Sequence, residues 1–205
     1  MCHRFDPGPS HASPPLSLKF VVAITGASGS PYAQRLLECL AATEHHVDVV
    51  LSSHAAEVAA AETGALAIPP RFAATTHGDR TMQVPFVSGS AKYDAMIVVP
   101  CSMGTLGRIA HGFSDSTITR AADVFLKERR PLIVVPREMP WNLVQARNAV
   151  ALIEAGATLF PASPSFYGKP ATVAEVIDTV VARLLDHLKV EHALGKRWQE
   201  PPPAE

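Results

Sequence analysis

The sequence is short of most features that would place a 205-residue chain at once. No apolar run approaches the ~18 residues that a bilayer span requires. Only three cysteines are present, Cys2, Cys39 and Cys101, without paired spacing. That argues against a disulfide framework and fits a reducing, cytoplasmic setting. Neither charge is in excess, with 18 Lys and Arg against 19 Asp and Glu. The basic surplus of a nucleic-acid binder is therefore missing. The opening "MCHRFDPGPSHASPPLS" has four prolines and no apolar core, so it does not read as a secretory signal. Residues 1–17 read as an extension outside the fold, residues 18–190 as one domain, and the polar, proline-rich 191–205 as a tail expected to fray. No internal repeat is visible.

What is present is an alternation. Short β-branched runs, "KFVVAI" (19–24), "HVDVVL" (46–51), "AMIVVP" (95–100), "PLIVVP" (131–136) and "ATLF" (157–160), alternate with helix-like segments. Several runs are apolar on both faces, as parallel strands covered by helices must be. The helical candidates are 31–43, 54–64, 116–128, 142–156 and 172–188. Leu143, Ala146, Val150 and Ile153 follow helical spacing, with Gly156 as a stop. Val176, Val180, Leu184 and Leu188 form a second stripe. Residues 65–89 lack periodicity and predict a loop with a short extra strand. The order predicts a single α/β domain: a Rossmann-like, flavodoxin-like doubly wound parallel sheet flanked by helices, with ligands beyond the strand C-termini.

The first strand runs into "TGASGSPY" (25–32). Ser30 is a candidate helix cap and Pro31 suits the first turn. Free amides and the helix dipole there favour an anion. A dinucleotide turn needs a third glycine and an acidic residue at the tip of the second strand. Only Gly26 and Gly29 are present, and Asp48 lies inside its strand. The tip carries Ser52 and Ser53 instead, so NAD is disfavoured. The strand ending at Pro100 leads into "CSMGTLGRIAHG", whose Ser102, Gly104 and Thr105 again suit a ligand turn. Cys101 reads as a small buried hydrophobe and His111 as a helix-end cap.

Among charged residues, Arg120 and Lys127 are seven apart in a helix and share a face. Arg137 and Glu138 follow a strand and so reach the crevice edge. Tyr167 lies in a loop bounded by prolines, where donating to an anion and packing are comparably good readings. Arg183 alone reads as a surface residue.

Three stretches together, "TGASGSPYAQRLLE", "VPCSMGTLGRIAHGFSDSTITRAADVFLKERRPLIVVPREMPWNL" and "GATLFPASPSFYGKPATVAEVIDTVVARLLD", resemble the flavin prenyltransferases, formerly named as aromatic-acid decarboxylases. The resemblance spans roughly 19–190. It implies transfer of a dimethylallyl group from dimethylallyl phosphate to N5 and C6 of reduced FMN. The prenylated FMN so made serves a partner decarboxylase. It further implies a homododecamer and no metal. The FMN contacts it implies are Gly26, Ala27, Ser28, Ser53, Ser102, Met103, Thr105 and Arg137. Those for the donor are Arg120, Lys127, Arg137, Tyr167 and Arg183. Ser28, Glu138, Lys127 and Tyr167 fall on catalytic positions, with Glu138 moving a proton and Ser28 relaying it. Many relatives carry lysine where this chain has Gly104. Two other readings compete: an FMN-dependent cysteine decarboxylase, whose "PASANT"-like stretch is missing, and a non-catalytic flavin-binding subunit, which would not need a second phosphate clamp.

Overall fold

The computed structural model describes residues 17–195, 197 and 198. Apart from Ser17, the expected N-terminal extension lies outside them. The element order is β1 (Lys19–Ile24), α1 (Ser30–Ala41), β2 (His46–Leu51), α2 (Ala55–Thr63), β3 (Thr76–Gly78), β4 (Ala95–Cys101), α3 (Met103–Ala110), α4 (Thr117–Lys127), β5 (Leu132–Pro136), α5 (Leu143–Glu154), β6 (Thr158–Leu159) and α6 (Val173–Leu188). The six strands form one parallel sheet in the order β3-β2-β1-β4-β5-β6. The five strands expected from the sequence all form. The aperiodic 65–89 stretch supplies β3 and two 3-10 turns, at Pro70–Thr75 and Pro85–Val87.

Alternation along β1 divides the core. Phe20, Val22 and Ile24 pack with Leu36, Leu37, Leu184 and Leu188 on the α1 and α6 face. Val21 and Ala23 point the other way, toward Leu106, Ile118 and Phe125 on the α3 and α4 face. Both sides of the sheet are thus dry, which is why its strands read as unbroken apolar runs. No helix among the described residues is long and apolar enough to cross a membrane.

Three local expectations change. Ser30 does not cap α1: the cap position is Gly29, in the left-handed region at φ 114°, with no side-chain cap. Pro31 does sit in the first turn. α5 forms as expected, but most of its stripe faces outward, with Leu143, Val150 and Ile153 more than half exposed. Ala149 and Leu152 instead provide its buried contacts. Finally, the described part of the tail does not fray. Val190 is buried, Leu194 packs on the α1–α6 core and the His192 ring bonds to Asp186.

Candidate active site

The winding reverses between β1 and β4, so their exit loops diverge and open a crevice. Thr25 staples its two lips. Its buried hydroxyl donates to the Pro100 carbonyl at 2.7 Å and accepts the Ser102 amide at 2.8 Å. The tip of β2 closes the back: a Cβ on Gly26 would lie 2.6 Å from the His54 Cβ, so only glycine fits there. Asp48, which a dinucleotide ribose would need at that tip, is buried within β2 and held by His46, His77 and Tyr93.

The turn at 25–32 already holds an anion, and it comes from the chain itself. Glu62, near the end of α2, accepts the Gly29 amide at 2.9 Å and the Ser30 amide at 2.8 Å. The Ser30 hydroxyl donates to the same carboxylate at 2.7 Å, and the Ser28 hydroxyl bonds to it as well. Partial burial raises the Glu62 pKa, but these hydrogen bonds outweigh it and hold the carboxyl below its ordinary value. The helix-terminal amides expected to receive a phosphate are thus occupied. Sequence reasoning missed Glu62 because it lies in an alanine-rich helix, 33 residues from Gly29. A lone acid at the end of "AAEVAAAET" was the only available signal.

Opposite this pair, Arg137 leaves the end of β5, passes the end of β4, and donates from Nε to the Ser28 carbonyl at 3.0 Å. It forms no ion pair with Glu138, whose carboxylate accepts the Met139 amide at 3.0 Å. Ser102 caps α3, its hydroxyl accepting the Thr105 amide and lying 3.0 Å from the Thr105 hydroxyl. The Met103 and Gly104 amides stand in the first turn of α3, where no intrahelical partner exists. A Cβ on Gly104 would meet nothing within 4 Å, so that position is open. Beside it, Ser53 joins Asp79, Arg80, Arg108 and Asp115 in lining an open cavity of about 570 Å³. Cys101 is fully buried and burial pushes its thiol pKa up, while His111 caps α3 through the Gly107 carbonyl. Both behave as the sequence suggested.

The remaining candidates lie elsewhere. Arg120 donates to the Val87 carbonyl and pairs with Asp123. Lys127 ends α4 beside Gly89 and pairs with Glu128 at 2.6 Å. The two do share a face, as expected. Lys127 precedes β5 and Arg137 follows it, so one strand of about 16 Å separates them. Tyr167 and Arg183 form a third group, on the outer face of α6. They line a cavity of about 350 Å³ together with Asp186, His192 and Trp198. The fold therefore gathers Gly26, Ala27, Ser28, Ser53, Ser102, Met103, Thr105, Arg137 and Glu138 at one sheet edge. It leaves Arg120 with Lys127, and Tyr167 with Arg183, in two separate places. Among the described residues, no group of three or more His, Cys, Asp or Glu side chains is arranged to hold a metal.

The chain matches the flavoprotein family model over residues 10–185. It is also 43% identical to a flavin prenyltransferase of Methanocaldococcus jannaschii, over 88% of this chain and 98% of that one. The chain belongs to the flavin prenyltransferase family. Among solved structures similar to it is AnUbiX in complex with FMN and dimethylallyl pyrophosphate. The TM-score is 0.83 and the identity 36%, covering 91% of this chain and all of that one. A dodecameric FMN-dependent UbiX-like decarboxylase from Escherichia coli O157:H7 aligns with a TM-score of 0.82 at 38% identity, covering 89% of this chain and all of that one. The crevice residues of this chain are therefore those of a flavin prenyltransferase family member, and the two outlying groups call for an explanation within that family.

Proposed function

We propose that this protein transfers a dimethylallyl group from dimethylallyl phosphate to reduced FMN, as a cytoplasmic homo-oligomer, and delivers prenylated FMN to a partner decarboxylase. The observation that carries this reading is Arg137 reaching across to the Ser28 carbonyl, which sets cation, hydroxyl and the Glu62 carboxylate at one end of the crevice. The two free thiols among the described residues fit the cytoplasm.

The crevice fits FMN by its donor set. The first amides of α3, the hydroxyls of Ser102, Thr105 and Ser53, and the Arg137 guanidinium suit a phosphate and a polar ring edge. The Gly26–Ser28 turn would hold the cofactor from the β1 side. Reduced FMN, when bound, supplies the electron-rich N5 and C6 that accept the five-carbon group.

The protein's own residues have two tasks. A monophosphate leaves poorly, so its departing charge needs preorganised donors. Lys127, Arg137, Tyr167 and Arg183 are of the right type, with Arg120 as support. A proton must also leave the acceptor ring. Glu62, held ionised and bonded to the Ser28 hydroxyl, suits a relay through Ser28 Oγ, with Glu138 at the crevice edge as the second carboxylate.

One protomer cannot bring all these donors together, because Lys127 and Arg137 flank β5 and Arg183 lies on α6. Assembly resolves this. Met139, Leu143, Val144, Val150 and Ile153 are all more than half exposed along α5 and the loop before it, an apolar surface suited to subunit contacts. We therefore place each complete site between neighbouring subunits of a homododecamer. Anaerobic incubation with reduced FMN and dimethylallyl phosphate, read by flavin mass, tests the reading. A gain of one five-carbon unit is expected, and unchanged flavin rejects it. Glu138→Gln at wild-type rate would remove Glu138 from proton transfer.

A further inference from the structure

The β2 side of the crevice holds two cations to which the proposed chemistry gives no task. Arg80 follows β3, and Arg108 sits in the second turn of α3. Both line the cavity of about 570 Å³ beside Ser53. Arg80 makes no ion pair and no side-chain hydrogen bond among the described residues. Arg108 is gripped at one end only. Its Nη2 donates to Asp115, and its guanidinium lies 5.5 Å from the Phe113 ring centroid. Its Nε and Nη1 have no hydrogen-bond partner among the described residues, so most of the donor fork is unused. Gly104 stands one helical turn earlier on the same face, and a Cβ there would meet nothing within 4 Å. Helical side chains lean toward the helix N-terminus, so the space into which Arg108 leans is open.

The neighbouring acids do not cancel these cations. Asp79 is committed to α4: its carbonyl accepts the Thr117 amide at 3.0 Å and its carboxylate the Ile118 amide at 2.8 Å. Partial burial raises the Asp79 pKa, against the hydrogen bonds from Ile118 and Ser116 and the pull of Arg108 and Arg80. Asp115 takes a single nitrogen of Arg108, which orients the fork without filling it. The other seat for an anion on this side, the turn at 25–32, is closed on Glu62. The cavity volume falls within the range of ligand sites and exceeds what a small ion fills. Its lining suits a ligand with a dianionic end, because a guanidinium fork matches phosphate oxygens. Ser53 belongs to the crevice set as well, so one extended ligand can run from the crevice into this cavity.

We infer that Arg108, supported by Arg80, binds the FMN phosphate in this cavity, leaving Arg137 and the first turn of α3 to the polar edge of the ring. This rests on the FMN part of the proposed function. Riboflavin, which is FMN without its phosphate, provides the test. Both flavins are titrated into the full-length, flavin-free protein and followed by quenching of flavin fluorescence. Wild type should bind FMN at least about tenfold tighter than riboflavin. Arg108→Ala should weaken FMN about tenfold and riboflavin less than about twofold. Arg80→Ala should show the same selective loss at about threefold, and Arg108→Lys, which keeps the charge but not the fork, should fall between Arg108→Ala and wild type. Added salt should weaken FMN binding more in wild type than in Arg108→Ala. Wild-type FMN affinity in Arg108→Ala overturns the inference, as does a parallel loss of riboflavin, which would mean damage to the fold. A wild type that binds both flavins equally overturns it too, and one that binds neither overturns the cofactor reading with it. If the selective loss is found but flavin never gains a five-carbon unit, the transferase reading fails and this site stands.

Discussion

The crevice at the sheet edge and the cavity on α6 are built on different principles. The crevice is held by buried or backbone groups: the Thr25 hydroxyl between two loops, the Gly26–His54 contact, and two amides closed on Glu62. The α6 cavity is held by ion pairs with largely exposed partners around Asp186, together with an aromatic edge contact. Groups of the first kind are costly to disturb, because a buried polar atom left unpaired carries its full desolvation penalty. Exposed pairs contribute little to folding. Damage to the crevice should therefore appear as lost stability together with lost cofactor, and damage to the α6 cavity as lost ligand on an intact fold.

Four substitutions sharpen that contrast. Gly26→Ala forces a methyl against His54 and should cost about 3 kcal/mol, at the upper end for overpacking. Its thermal unfolding midpoint should drop and FMN should be lost on gel filtration. Thr25→Val keeps the shape but strands the Ser102 amide, and about 2 kcal/mol is expected by denaturant titration. Glu62→Gln should cost about 1 kcal/mol, the low end for hydrogen bonds to a charged group at an exposed carboxylate. The contribution of Glu62 is fully present above the ordinary carboxyl value of 4.5 and is lost as pH falls through the lower folded value. Urea titrations between about pH 6 and pH 3 should therefore show a shallower acid loss in Glu62→Gln than in wild type. Asp186→Asn should change stability by less than about 1 kcal/mol yet weaken dimethylallyl phosphate binding, because Arg183 and the tail lose their common anchor. A large fall in its unfolding midpoint would erase the distinction between the two regions.

The fold was legible because both faces of the sheet are covered, so each strand is a contiguous β-branched run that a turn interrupts. The crevice was legible for a related reason. Ser28, Ser53, Ser102 and Arg137 each follow a strand, and a parallel sheet brings strand ends to one edge. What escaped were relations across the chain. Glu62 meets Gly29 only because α2 packs against α1, and nothing local to either segment records it. Lys127 and Arg137 look like one clamp in sequence, yet a strand between them puts them at opposite ends of the sheet. The outward stripe of α5 reads like a core stripe, because an exposed apolar stripe and a buried one have the same helical periodicity. The tail reads as polar coil, although His192, Leu194 and Trp198 are three well-spaced anchors.

The separation of Lys127 from Arg137 leads to the most direct test of the account. Lys127→Ala and Arg137→Ala subunits, each inactive alone, are co-expressed with different affinity tags, and the mixed oligomers are assayed for flavin prenylation. If each site draws these two residues from different subunits, random mixing leaves about a quarter of the sites with both, and about that fraction of wild-type activity should return. Mixed oligomers as inactive as either parent would contradict a site completed between subunits.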